Sequence, residues 1–304
     1  MVSKLRGSWA DALALLERAV AMADETGNER VQRRHPRLYL ATIVMDFDRL
    51  DDAERALEES RATGERLGTV WDIPPYHWGL ALQRLLSGTW DDAIVEAQAG
   101  LASAEEVGTR VVASWAYGAL AYIAVHRSDL HAAEDALDAL DRELSRSGLQ
   151  FGVEGMLGFR ALAEEARGKT TEALSVLENA WRLCTSLGIV PEPRMLGPDL
   201  VRLALDAGRR DLARSVTESM EEAFARTDIA TVKGAILRCR GLLEGDPQLL
   251  LRSVAAYRQG PRPFERALAT EDAAAALARQ GELAPALPLL DECLQIYEGV
   301  GARA

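Results

Sequence analysis

The chain has 304 residues, 48% of them hydrophobic and 27% charged, the balance of an ordinary folded protein. A formal net charge of −12 argues against direct contact with nucleic acid, because phosphate attraction needs a basic surface. No run reaches the roughly eighteen apolar residues of a membrane span, and the N-terminus lacks an apolar signal core.

A period of 40 residues organises the chain: a glycine-like opener, an alanine five positions later, and a closing glycine twenty positions after the opener. Such a rhythm marks stacked repeats. In chain order, Gly7–Ala12–Gly27 comes first and predicts the second helix of a hairpin, with Trp9 packed at its turn. The basic patch Arg30, Arg33, Arg34, His35 and Arg37 follows and reads as a solvated loop leading into a helix. Its functional alternative is a contact for an acidic ligand or another domain.

The next helix carries Ala41 and ends at Asp48, which opens Asp48–Ala53–Gly68. Ala81 lies seven positions before Gly88, which opens Gly88–Ala93–Gly108, and Trp90 repeats the turn-packing place of Trp9. From Trp90 to Val107, Ala93, Ile94, Ala97, Leu101 and Ala104 recur every three or four residues, the period of an amphipathic helix. The acidic pairs Asp51–Asp52 and Asp91–Asp92 fall where second helices start, so they suit capping and the helix dipole better than catalysis.

Two further helices are predicted over Val111–His126 and Leu130–Ser147 around Ser128–Ala133–Gly148. Gly155–Arg167 begins the next hairpin and leads into Gly168–Ala173–Gly188. There the stretch RGKTTEA imitates a phosphate-binding loop. It lacks the glycine five positions before Gly168, where Ala163 stands, and it continues a helix instead of following a strand.

The rhythm then loosens. Pro191 and Pro193 predict the longest loop, with a shortened helix starting at Gly197–Pro198. Gly208–Ala213 places Asp228 where a glycine should close, and the opener spacing falls from 40 to 37 and 36 at Gly245 and Gly281. A change of curvature is expected there. Gly281–Ala286–Gly301 ends the series, with Pro288 expected to kink or delay the final helix.

Ala41, Ala81, Ala121, Ala161 and Ala274, with Val201 bulkier, precede their openers by seven positions. Each faces the following alanine across a turn, where small side chains let two helices approach closely. The twelve-residue gap between small residues and the turn glycine resemble the tetratricopeptide repeat (TPR), with a period longer than its 34 residues. The resemblance implies an all-α, right-handed superhelical solenoid of TPR-like hairpins. Residues 1–304 then form one solenoid, regular over 1–228 and irregular over 229–304.

Longer helices of this kind resemble the superhelical domain of maltose-activator-type and large ATP-binding LuxR-family transcriptional regulators of bacteria. Arg262 to Ala302 is similar to the last repeat before the helix-turn-helix of those regulators. That implies a fragment with a nucleotide-binding domain upstream and a DNA-binding domain downstream. Neither end shows a polar cap, which fits the same reading.

The residues themselves show no enzyme motif: no HExxH, no GxSxG, and four scattered histidines at positions 35, 77, 126 and 131. No catalytic residue, cofactor or metal site is expected. Cys184, Cys239 and Cys293 read as buried free thiols of a cytoplasmic protein.

In TPR-like superhelices the first helices line a groove. The stripe Tyr117, Leu120, Ala121 and Ala124 should pack between helices, leaving Trp115, Gly118, Tyr122, Val125 and His126 toward the groove. Trp78, Leu82 and Leu85 hold the same place one hairpin earlier; His35, Leu38, Thr42 and Met45 hold it before that; Leu162, Glu165 and Arg202 follow. The candidate site is therefore Trp78, Leu82, Trp115, Tyr122, His126, Leu162, Glu165 and Arg202. It would take a small effector or a polypeptide, as the sensing or docking module of a regulator. The alternative function is a stand-alone TPR interaction scaffold without a small ligand. These aromatics can equally fill the interior or contact neighbouring helices. A homodimer covering Leu13, Leu16 and Val20 is a further option.

Overall fold

The computed structural model describes residues 8–26, 28–109, 112–147, 153–190 and 193–303. Among them are sixteen helices and no strand: α1 (Trp9–Thr26), α2 (Glu29–Gln32), α3 (Arg37–Asp46), α4 (Leu50–Leu67), α5 (Ile73–Ser87), α6 (Trp90–Val107), α7 (Ala113–His126) and α8 (Leu130–Ser147), then α9 (Val153–Ala166), α10 (Thr170–Ser186), α11 (Pro193–Asp206), α12 (Arg210–Ala223), α13 (Ala230–Glu244), α14 (Pro247–Tyr257), α15 (Pro263–Arg279) and α16 (Leu283–Val300). The fold is all-α. Helices pair in sequence order, with the strongest packing between α3 and α4, α5 and α6, α9 and α10, α13 and α14, and α15 and α16.

The openers are the residues that reverse the chain. Gly88 takes φ 85°, and the Thr89 and Gly88 amides donate back to the Arg84 and Leu85 carbonyls at 3.0 and 3.3 Å. This is the left-handed cap that satisfies the last carbonyls of a helix. Asp48 and Ser128 adopt the same conformation, at φ 60° and 59°, although they are not glycines. Repeat geometry overrides the side-chain preference there. The openers and closers Gly7, Gly27 and Gly148 lie outside the described residues, as do Val111 and Pro191.

The small residues do what their spacing predicts. Ala41 and Ala53, both 0% exposed, share one core with Leu57 and Leu80. Ala161 and Ala173, and Val201 and Ala213, meet in a second core with Leu177, Trp181, Leu196 and Leu200. Trp90 is buried at its turn and its Nε1 donates to the Leu85 carbonyl at 3.2 Å. Trp9 packs edge-on to Phe47. Asp51, Asp52, Asp91 and Asp92 lie in the first turns of α4 and α6, while Arg49 and Thr89 at the caps make no side-chain capping bond. These acids sit at the positive end of the helix dipole, and Asp52 also pairs with Arg49 and Arg55.

Three expectations change. The helix expected to start at Gly197–Pro198 starts at Pro193 and runs through both residues. Proline at the first position costs no hydrogen bond. Pro198 removes one interior bond, worth about 3 kcal/mol. Burying Leu196 and Leu200 completely offsets it, at roughly 1.5–3 kcal/mol each. Gly197 lies directly against the end of the Met220 side chain, which a Cβ there would displace. Pro288 does not delay its helix, because α16 already begins at Leu283. Asp228 closes nothing: α12 stops at Ala223 with Phe224 as its cap, so this second helix has 14 residues where α6 has 18.

Contacts group the chain into two compact units. One comprises Met1–Ala121 with Glu134–Gln150, the other Tyr122–Ala133 with Phe151–Ala304. In the first, α1 packs on α3, and Leu13 joins the core of α3, α4 and α5. In the second, the α7–α8 turn meets the C-terminus: the Arg303 amide donates to the His126 carbonyl at 2.7 Å.

Candidate functional site

The eight candidate residues divide between the units. Trp78, Leu82 and Trp115 belong to the first, on α5 and α7. Trp78 and Trp115 are partly exposed, and their rings meet at 6.0 Å between centroids with 48° between planes. They come from the first helices of successive hairpins, which the stacking of Ala81, Ala97 and Ala116 holds close together. Leu82 is half-buried against the core of Leu38, Leu57 and Tyr76. Beside Trp78, His77 Nδ1 lies 2.7 Å from Glu96 Oε2.

On α3 the expected groove face turns inward. His35, Leu38 and Met45 are buried, and Leu38 and Met45 enter the core. Tyr39, one position further round, is the side chain that reaches solvent, at 57% exposure. The basic patch is largely consumed by acids within the same unit. Arg33 pairs with Glu29, and Arg37 bridges Asp24 and Glu59. His35 lies 3.1 Å from Asp24, with its pKa lowered by burial and by Arg37. Trp71 Nε1 donates to the Arg33 carbonyl, fastening the loop to α5.

In the second unit, Tyr122, His126, Leu162, Glu165 and Arg202 lie among close neighbours. Tyr122 is edge-on to His126, Phe159 and Phe264, and His126 lies 4.5 Å from Phe264 between centroids. Phe264 continues to Tyr297, whose hydroxyl donates to Glu271 at 2.6 Å. Burial pushes the His126 pKa down to about 4, against a smaller opposing pull from Asp199. Burial also raises the Tyr122 pKa well above its ordinary value.

Charged groups tie the first helices of this unit together. Arg202 on α11 makes a two-pronged pair with Glu165 on α9, at 2.6 and 2.7 Å, with Asp199 at 3.6 Å. Desolvation opposes the Arg202 charge, but Glu165 and Asp199 outweigh it and its pKa is raised. Arg194 on α11 reaches Thr231 on α13, and the buried Arg238 on α13 donates to Asp272 on α15 at 2.6 Å. Leu162 is half-buried on α9, one turn before Glu165. The aromatic ring contacts and Tyr297–Glu271 were missed by sequence reasoning. Nothing in a 40-residue rhythm says that α7 meets α15.

Gly168 takes φ 77° as a turn residue, and Lys169 of RGKTTEA pairs with Glu164 at 3.2 Å. Cys184, Cys239 and Cys293 are free and buried. Among the described residues, no three His, Cys, Asp or Glu side chains converge as a metal site, and no helix is long and apolar enough to cross a membrane.

Residues 266–300 match the family model of the tetratricopeptide repeat. No curated protein matches the chain. Among solved structures it is similar to BtubC (BKLC) from P. vanneervenii, at 15% identity and a TM-score of 0.46, over 74% of this chain and 93% of that one. The repeat match falls on α15 and α16.

Proposed function

We propose that this protein is a polypeptide-binding scaffold of TPR-like hairpins, and that its Trp78–Trp115 face receives the bound segment. The carrying observation is the pair of partly exposed indoles, 6.0 Å apart, presented by successive first helices. Tryptophan and tyrosine are enriched among the energetic anchors of protein interfaces. The first-helix residues singled out in the second unit are already engaged with one another, through Glu165–Arg202 and the Tyr122–His126–Phe264 cluster. The tryptophan face is the part of the candidate site that sets two large indole rings side by side.

A peptide library displayed against the full chain, followed by titration of the selected peptide, tests this reading. Trp78→Ala and Trp115→Ala should each weaken binding by about tenfold or more. Peptides that bind both variants as tightly as the parent would overturn it.

The finer reading, a sensing module of a bacterial transcriptional regulator in the cytoplasm, is supported by the likeness of Arg262–Ala302 to the final repeat of such regulators. The three buried free thiols accord with a reducing compartment. That reading requires an effector that binds one state of the protein more tightly than another. Its test is a shift in melting temperature or tryptophan emission with a small metabolite and no peptide.

A further inference from the structure

The two indoles of the tryptophan face hold unspent hydrogen-bond donors. Trp71 and Trp90 give their indole N–H to backbone carbonyls, at 2.9 and 3.2 Å. No group among the described residues accepts from the indole N–H of Trp78 or Trp115. Neither nitrogen is among the buried polar atoms left without a partner, so both donors open to solvent. The ring planes are tilted by 48°, so the indoles do not close face to face on each other.

The helices that carry them are nearly free of charge. In a chain with 27% charged residues, α5 holds one, Arg84, and Ala113–Ala121 of α7 holds none. Arg84 is paired with Glu54 at 2.5 Å, and His77 lies 2.7 Å from Glu96. Leu82, one turn beyond Trp78, adds half-buried apolar surface. The face therefore offers apolar area and N–H donors, with no charge on its own helices left unmatched.

That combination selects among polypeptide conformations. A helix spends its carbonyls internally except in its last turn, so it would leave the two donors unpaired. An added strand pairs along a sheet edge, and the described residues contain no strand. An acidic or basic segment would lose hydration against a surface with no free counter-charge. A polyproline II segment fits. It makes no internal hydrogen bonds, so its carbonyls are open to donors, and its proline rings are apolar and already ordered. It rises about 3.1 Å per residue, so about two residues span the 6.0 Å between the indole centroids.

Building on the scaffold reading above, we infer that the tryptophan face receives an uncharged, proline-rich segment in the polyproline II conformation. Its pyrrolidine rings lie on the rings of Trp78 and Trp115, and its carbonyls accept from the two indole N–H groups.

The test measures binding of the full chain to three labelled peptides of roughly 12 residues, about four polyproline turns, by fluorescence anisotropy. One is uncharged and carries proline at every second or third position. The second replaces each proline by alanine or glutamine to favour a helix, and the third is a glycine/serine peptide with aspartates. The proline peptide should bind at least about tenfold more tightly than either of the others. Raising salt to about 0.5 M should change its affinity by less than about twofold. Trp78→Phe and Trp115→Phe keep an aromatic ring and remove the donor, so each should weaken the proline peptide by about fivefold. Equal or tighter binding of the helical or acidic peptide overturns the inference, as does absence of binding by the proline peptide. So does a proline peptide that binds both phenylalanine variants as tightly as it binds the parent chain. If the helical or acidic peptide binds and Trp78→Ala removes it, only the proline assignment fails and the scaffold reading stands. If the proline peptide binds and neither Trp78→Ala nor Trp115→Ala weakens it, the tryptophan face fails with it.

Discussion

The His126 ring lies edge-on to the Phe264 ring, with centroids 4.5 Å apart. This contact brings the end of α7 against the start of α15 and keeps the imidazole neutral.

That neutrality makes stability depend on pH. Folding lowers the His126 pKa from 6.5 to about 4, so below pH 6.5 the unfolded chain takes up a proton that the folded chain refuses. The stabilisation is complete above pH 6.5 and is lost as pH falls toward 4. By pH 5 the loss is about 2 kcal/mol. His35, also lowered by burial, acts with the same sign. Denaturant melts at pH 7 and pH 5 should show this decline, and His126→Asn should flatten it. An unchanged slope in the variant would assign the decline to other groups.

The Glu165–Arg202 pair makes an asymmetric prediction. Arg202→Met leaves Glu165 and Asp199 facing each other in a partly desolvated site, and should cost about 3 kcal/mol. Glu165→Gln leaves Arg202 with Asp199 and should cost about 1 kcal/mol. Equal losses in urea denaturation would show that Asp199 does not back up the pair.

Glycine at the turn and glycine at the crossing behave oppositely. Ser128 holds φ 59°, so Ser128→Gly should stabilise the protein by up to about 1 kcal/mol. Gly234→Ala would bring a Cβ 2.6 Å from the Tyr257 ring and should destabilise by about 1–3 kcal/mol. Melting temperatures should move in opposite directions.

The hairpin and its turn were legible because each is encoded locally. Ala81, Gly88, Ala93 and Gly108 announce two helices and both reversals through spacing alone. Helix starts at prolines were less legible: Pro198 reads as a boundary, yet packing of Leu196 and Leu200 carries α11 through it. The candidate site was legible as a set of faces, with Trp78 and Trp115 placed on successive first helices and found in contact. On α3 the same rule failed, because the face holding His35, Leu38 and Met45 turns into the core and Tyr39 takes the solvent side. The ring contacts of His126 with Phe264 depend on how five hairpins accumulate their angles, which no single repeat encodes.

The most direct measurement is the affinity of a library-selected peptide for the parent chain and for Trp78→Ala with Trp115→Ala, by isothermal titration calorimetry. A scaffold that uses this face should lose at least about 1.4 kcal/mol of binding, a tenfold change, at a temperature where the double variant is still folded. Undiminished affinity in the double variant would contradict the assignment of the tryptophan face.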